Sequence, residues 1–267
     1  MDKLAKAGDK WLCRAKVIIG KQQVLSPKAI LFDFDGVLVN TEEQGYYVLS
    51  AMLREHGIDY TREEYVELLS GITDESFYEF IRRTHPQLPV PFEDDLKARM
   101  DHMIRNNMKA IEGAKDLLQK LKDHKIPFAL CSNSGVDNLR LKLKLTGLYD
   151  FFAPHIYSRD DTYTPDGIAH PKPEPDMYLL GARMLGVDPR DCMVIEDSVV
   201  GTTAGVRAGM TVTGFLGEAH RTASEEKLLT AAGATYTALS MREVWKHIYD
   251  FCFKTSVFPY VSQPGVM

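Results

Sequence analysis

No stretch of this 267-residue chain approaches the ~18 consecutive apolar residues that a membrane-spanning helix needs, so an integral membrane protein is not expected. Cysteine is scarce: Cys13, Cys131, Cys192 and Cys252 stand apart with no C-x-x-C pair, which argues against a zinc site or a disulfide framework and for reduced, buried thiols. The histidines show no H-x-x-x-H or other ligand-like spacing, and His170 reads as a surface-loop residue. Basic residues are outnumbered by acidic ones, 32 to 37, and form no dominant stripe able to neutralise a phosphate backbone. Nucleic acid is therefore not an expected partner. The first 28 residues are locally basic, but their apolar stretch Val17-Ile18-Ile19 is far too short for a signal peptide. Asp2 and Asp9 also weigh against an organellar transit peptide, and the cytoplasm is the expected compartment.

What the chain does have is 45% hydrophobic residues, enough for a core plus a smaller cap, and acids placed where apolar runs stop. Ala29-Ile30-Leu31-Phe32 leads straight into Asp33-Phe34-Asp35-Gly36. On a strand, residues i and i+2 share a face, so Asp33 and Asp35 leave the sheet's carboxyl edge pointing the same way, where open α/β sheets place their sites. Like charges held so close are costly unless a cation or a proton sits between them. An Asx turn closing a strand accounts for the same residues without any chemistry.

Three later segments follow the same plan. Ile126 to Cys131 is an apolar run ending in Ser132-Asn133-Ser134, and Cys192 to Ile195 ends in Glu196-Asp197. Ala169-His170-Pro171-Lys172-Pro173 holds one lysine between prolines ahead of a helical pattern from Met177. Read as short buried strands stopping at polar turns, the segments present Asp/Asp, Ser/Asn, Lys and Glu/Asp to one edge. Each residue also has a plainer role: Ser132 as a helix N-cap, Lys172 as a solvated loop residue, the paired acids as complements to a helix dipole.

The four ordered motifs, Asp33-Phe34-Asp35-Gly36, Ser132, Lys172 and Glu196-Asp197, resemble those of the haloacid dehalogenase superfamily, in the subgroup with beta-phosphoglucomutase and small sugar-phosphate phosphatases. The resemblance runs from about Lys28 to Ala238. It implies a doubly wound parallel α/β core, with Asp33 as a nucleophile forming an aspartyl-phosphate and Asp35 as general acid and then base. It further implies Mg2+ held by Asp33, Asp197 and the Asp35 main-chain carbonyl, with Glu196 as a ligand or an acceptor beside it. Ser132 and the Asn133 main-chain NH would bind the phosphoryl group, and Lys172 would pair with both the phosphate and Asp33.

From about Glu42 to about Met108 strand signals vanish. Tyr46, Leu49, Met52 and Leu53 form one apolar helical face, and further helices are expected around Tyr65 to Leu69, Phe77 to Ile81 and Leu96 to Met108. The expected organisation is an N-terminal extension (1–27), an α/β core (28–40 and 109–250), an inserted helical-bundle cap (41–108) and an irregular tail (251–267). Val212 to Phe215 and Thr235 to Ala238 read as further strands.

Gly71-Ile72-Thr73-Asp74 lies between two cap helices and resembles the family's substrate-specificity loop. The mutases of the subgroup carry an arginine where this chain has Asp74, and a histidine where it has Gln44-Gly45. An acid at 74 repels a second phosphate, so hydrolysis is expected over intramolecular transfer. Gly71, Thr73 and Asp74 are expected to contact a small phosphorylated metabolite, a sugar, polyol or sugar-acid monophosphate, in a monomer or weak homo-oligomer. A sugar-phosphate mutase is the alternative. A non-catalytic binding protein is disfavoured because Asp33, Asp35, Lys172, Glu196 and Asp197 are all present.

Overall fold

The computed structural model describes residues 28–162, 170–217 and 223–254. It opens with β1 (Ala29–Phe32), buried along its whole length. Four helices come next: α1 (Thr41–Arg54), α2 (Arg62–Leu69), α3 (Asp74–Thr84) and α4 (Phe92–Asn107). Strand and helix then alternate through α5 (Ala114–Asp123), β2 (Phe128–Ser132), α6 (Val136–Thr146), the short α7 (Tyr149–Phe152), β3 (Ile156–Ser158) and α8 (Asp176–Leu185). The last elements are β4 (Cys192–Glu196), α9 (Val199–Arg207), β5 (Thr211–Phe215), α10 (Ala223–Ala231), β6 (Tyr236–Ala238) and α11 (Met241–Phe253).

The strands form one sheet in the order β3-β2-β1-β4-β5-β6, and every pairing is parallel. Period-2 alternation assigns the faces. Ile30 and Phe32 join one core with Leu117, Leu118, Val244 and Ile248 from α5 and α11. Ala29 and Leu31 join the other with Met177, Tyr178 and Ala204 from α8 and α9. Helices thus cover both faces, as a sheet of buried parallel strands requires. The fold is the doubly wound α/β core with an inserted helical-bundle cap.

The inserted helices bury their own apolar cluster, including Leu49, Leu53, Tyr65, Leu69, Ile81 and Leu96. Thr61 and Glu64 form a reciprocal capping box at the start of α2. The two connections between insert and core run side by side: Val39 bridges Ala110, the Asn40 NH donates to the Lys109 carbonyl (3.1 Å), and Asn40 Oδ1 accepts from the Lys109 NH (2.7 Å). Asparagine serves this hinge because the role needs only an acceptor oxygen.

Two expectations need correction. Residues Phe251 to Phe253, read as irregular tail, complete α11, with Phe251 and Cys252 packed on the core. The stretch holding Lys172 is a loop rather than a strand end. The strand missed was β3, whose three residues are too few to show alternation. Residues 1–27 and 255–267, with the extension and most of the tail, lie outside the described residues.

Candidate active site

Because all strands run parallel, their carboxyl ends share one edge, and β1 and β4 meet where the strand order reverses, the crevice at which doubly wound sheets bind ligands. The Asp33 NH donates to the Ile195 carbonyl (3.0 Å), so the chain leaves β1 still tied to β4. Ligand oxygens of Asp33, Glu196 and Asp197, all buried, lie within 4.8 Å of one another. Ser132 and Asn133 close β2 beside them, and Lys172 enters from its loop with only 4% of its surface exposed.

Lys172 Nζ donates to Asp33 Oδ1 (2.6 Å) and to Glu196 Oε1 (2.7 Å). Burial works against its charge, but the two carboxylates outweigh it and hold the ammonium above its ordinary value. Glu196 is saturated: Oε1 also accepts from the Tyr178 hydroxyl (2.6 Å), while Oε2 accepts from the Asp197 NH, the Ser198 NH and Ser198 Oγ. A Cβ on Gly201 would overlap this carboxylate, so only glycine lets α9 begin so close to it. Glu196 therefore belongs to the acidic cluster but spends its oxygens anchoring Lys172 and the α9 start.

Asp33 carries the opposite strain. Burial pushes its carboxyl well above the usual range, Lys172 pulls it down, and Glu196, Asp197 and Asp35 push it up again. The site holds four carboxylates, Asp33, Asp35, Glu196 and Asp197, and two buried ammonium groups, Lys172 and Lys142. Ionised, these six groups sum to a net charge of −2, which one divalent cation would balance, and an all-oxygen donor set suits magnesium. The residues fit such an ion.

Asp35 lies in a different environment. Its Oδ1 accepts from Thr41 Oγ1 (2.6 Å) and Lys142 Nζ (2.7 Å), and Oδ2 from Ser134 Oγ (2.9 Å). Burial raises this carboxyl, yet the Lys142 charge and hydrogen bond, helped by Thr41 and Ser134, bring it below its ordinary value. The two aspartates are thus pushed in opposite directions in the metal-free site, Asp33 toward its protonated form and Asp35 toward its ionised form. Lys142 was not singled out in the sequence: it sits in Leu139-Arg140-Leu141-Lys142-Leu143, a lysine on the buried face of α6 between Leu139 and Leu143. That out-of-pattern placement is the one local signal that marks it.

Asn133 does more than expected of its main chain. Its side-chain amide accepts from the Lys172 NH (2.9 Å) and donates to the Lys172 carbonyl (3.3 Å) and to the Gly71 carbonyl (2.9 Å). It therefore fixes the lysine loop and seats the cap loop together. Gly71 has φ +75°, and a Cβ there would overlap Ser198 Oγ, so the loop approaches the core only as glycine. An Arg159–Glu75 ion pair adds a second link between core and insert.

Of the other cap residues expected at the substrate, Thr73 is corrected: it is buried, it accepts from the Ser76 NH (3.2 Å) as the N-cap of α3, and it does not line the cleft. Asp74 opens α3, but its side chain lies outside the described residues. The cleft between cap and strand ends encloses about 710 Å3 and reaches Asp33, Asp35, Ser132, Asn133 and Lys172. His170 contacts Asp176 at the surface (3.3 Å). Cys131 and Cys192 are free and buried, and burial pushes the Cys192 thiol up to about 12. No helix among the described residues is long and apolar enough to cross a membrane.

Comparisons agree with this geometry. A family model described as haloacid dehalogenase-like hydrolase matches residues 27–209. Hexitol phosphatase A of Escherichia coli is 29% identical over 182 residues, covering 68% of this chain and 80% of its own length. A solved haloacid dehalogenase-like protein of Agrobacterium tumefaciens superposes with a TM-score of 0.72 at 34% identity, covering 84% of this chain and 98% of that one. A hydrolase of Deinococcus radiodurans, solved with bound phosphate and sodium, gives 0.70 at 32% identity, covering 84% and 96%.

Proposed function

This chain belongs to the haloacid dehalogenase-like hydrolases and is a phosphoric monoester hydrolase; on that premise we propose that it is a magnesium-dependent phosphatase of a small metabolite phosphorylated on a sugar or polyol, working through an aspartyl-phosphate on Asp33. The observation that carries this reading is the convergence of Asp33, Asp197 and Lys172 on one buried point at the β1–β4 crevice.

Asp33, its charge supported by Lys172, attacks phosphorus in line as the bond to the leaving oxygen breaks. Ser132 Oγ, the Asn133 NH and Lys172 bind the phosphoryl oxygens. Asp35 protonates the departing alkoxide, then takes a proton from the water that attacks phosphorus and returns Asp33 as a free carboxylate. Asp33, Asp197 and the Asp35 main-chain carbonyl would hold a magnesium ion, which when bound would supply charge neutralisation for the phosphoryl group. Glu196 positions Lys172. The cytoplasm remains the proposed compartment.

Hydrolysis is favoured over mutase chemistry by what surrounds Asp35. The Gln44 amide, at the position where mutases carry histidine, donates to the Asn107 carbonyl near the hinge (3.1 Å), while Asp35 is held by Thr41, Ser134 and Lys142. Lys142→Met is expected to lower kcat about 10- to 100-fold with KM nearly unchanged, and Lys142→Arg to recover part of the loss, as steady-state kinetics would show. An unaltered kcat for Lys142→Met would remove this residue from the mechanism.

The reading as a whole is tested by a phosphate-release panel over metabolite esters with magnesium or with EDTA. Chelation is expected to lower turnover by about 100-fold or more, and added magnesium to restore it. Full turnover in EDTA, or none on any ester with magnesium, would overturn it.

A further inference from the structure

The cleft changes character along its length. Beside Asp33 and Asp35 it is polar, with Ser132, Ser134 and Asn138. The cap contributes the apolar part of the lining, with Leu69, Ile72, Phe77, Met100, Met103 and Ile104 among its residues there. Several of these belong to or pack against the cap's own apolar cluster, so this part of the lining is a face of that core left open to the site. Hydroxyls of an open-chain polyol pressed against it would lose water without gaining partners, a costly exchange.

Charge narrows the choice further. The cap also lines the cleft with Glu75, Glu79, Glu93 and Asp101 against Arg82 and Lys97, Glu75 being paired with Arg159 of the core. Arg82 and Lys97 both bind the same Glu93 carboxylate, at 3.0 and 2.9 Å, while Lys142 and Lys172 are engaged by Asp35 and Asp33. A second anionic group, whether a phosphate or the carboxylate of a sugar acid, meets a surplus of negative charge. The cap is tied to the core through Gly71 and Glu75, which holds these residues over the strand ends. The cleft's 710 Å3 falls within the roughly 300–1,000 Å3 of pockets that take drug-sized ligands.

We propose that the preferred substrate is a nucleoside monophosphate: phosphate at the strand ends, pentose hydroxyls beside Ser134 and Asn138, and an uncharged planar base against Phe77 and Met100. The inference rests on the phosphatase reading above and narrows it. Stacking one base on an aromatic side chain spans on the order of ten- to a hundredfold in binding, which sets the scale of the expected preference.

The test compares uridine 5′-monophosphate with ribose 5-phosphate, which shares the phosphate and pentose but lacks the base, alongside mannitol 1-phosphate and 6-phosphogluconate, all with magnesium. The nucleotide is expected to exceed ribose 5-phosphate in kcat/KM by about tenfold or more, and Phe77→Ala to shrink that ratio. Equal or better turnover of ribose 5-phosphate, the hexitol phosphate or the sugar acid would overturn the inference and leave the phosphatase reading standing. Absence of turnover on all four would count against the phosphatase reading instead. The wild-type ratio decides the matter even where the Phe77 variant folds poorly.

Discussion

Asp33→Asn is expected to abolish magnesium-dependent phosphate release, by about 10^4-fold or more, while the protein stays folded. Removing a covalent nucleophile costs more than removing any single binding contact, because no remaining group provides the same reaction path. The amide keeps the shape of the carboxylate, and its oxygen still accepts from Lys172 Nζ where Asp33 Oδ1 does now, at 2.6 Å. It also takes one charge out of a crowd of acids that pushes the Asp33 carboxyl well above its usual range. The melting temperature should accordingly hold or rise. Assays of phosphate release beside thermal melts check both halves, and turnover surviving at a tenth of wild type would reject Asp33 as nucleophile.

Lys172→Met is expected to damage stability as well as rate. Lys172 is the ammonium that joins Asp33 to Glu196, with both side chains almost wholly buried. Breaking a buried pair on one side costs about 3–5 kcal/mol, because the abandoned carboxylates keep their desolvation penalty. Turnover should fall by about 10^2 to 10^3 through loss of charge support for the phosphoryl group.

The pH dependence follows from Asp33. Its folded value is raised above the unfolded one, so between the two the folded chain binds more protons, and stability of the metal-free protein falls as pH rises through that window. The slope is at most about 1.4 kcal/mol per pH unit for one proton. Losing the ammonium extends the window upward. The deficit of the variant should therefore be largest near neutral pH and shrink toward about pH 5, and magnesium should stabilise most at the neutral end. Urea unfolding in EDTA at two pH values measures this, and an equal deficit at both would contradict it.

The parallel core was legible because its strands carry the pattern that such sheets impose. Ala29 to Phe32 and Cys192 to Ile195 are apolar without interruption since both faces are covered. Thr73 went the other way. Its place two residues after Gly71 pointed to substrate, but a threonine preceding a helix competes for the first free NH groups, and the helix won. Lys172 was recognised from motif order, yet what holds it is the Asn133 side chain across the crevice, a contact between residues 39 apart that no local pattern encodes.

By itself the sequence determined which acids and which lysine face one edge, since strand period and the chemistry of phosphoryl transfer restrict both spacing and residue type. Only the folded chain decided their working states: that Lys142, 107 residues from Asp35, draws its carboxyl down, that Glu196 is consumed in holding Lys172, and that the cap offers carbon to the cleft. Charge balance and solvent exclusion depend on distances between remote segments, and those distances exist only once the sheet and the inserted helices have packed together.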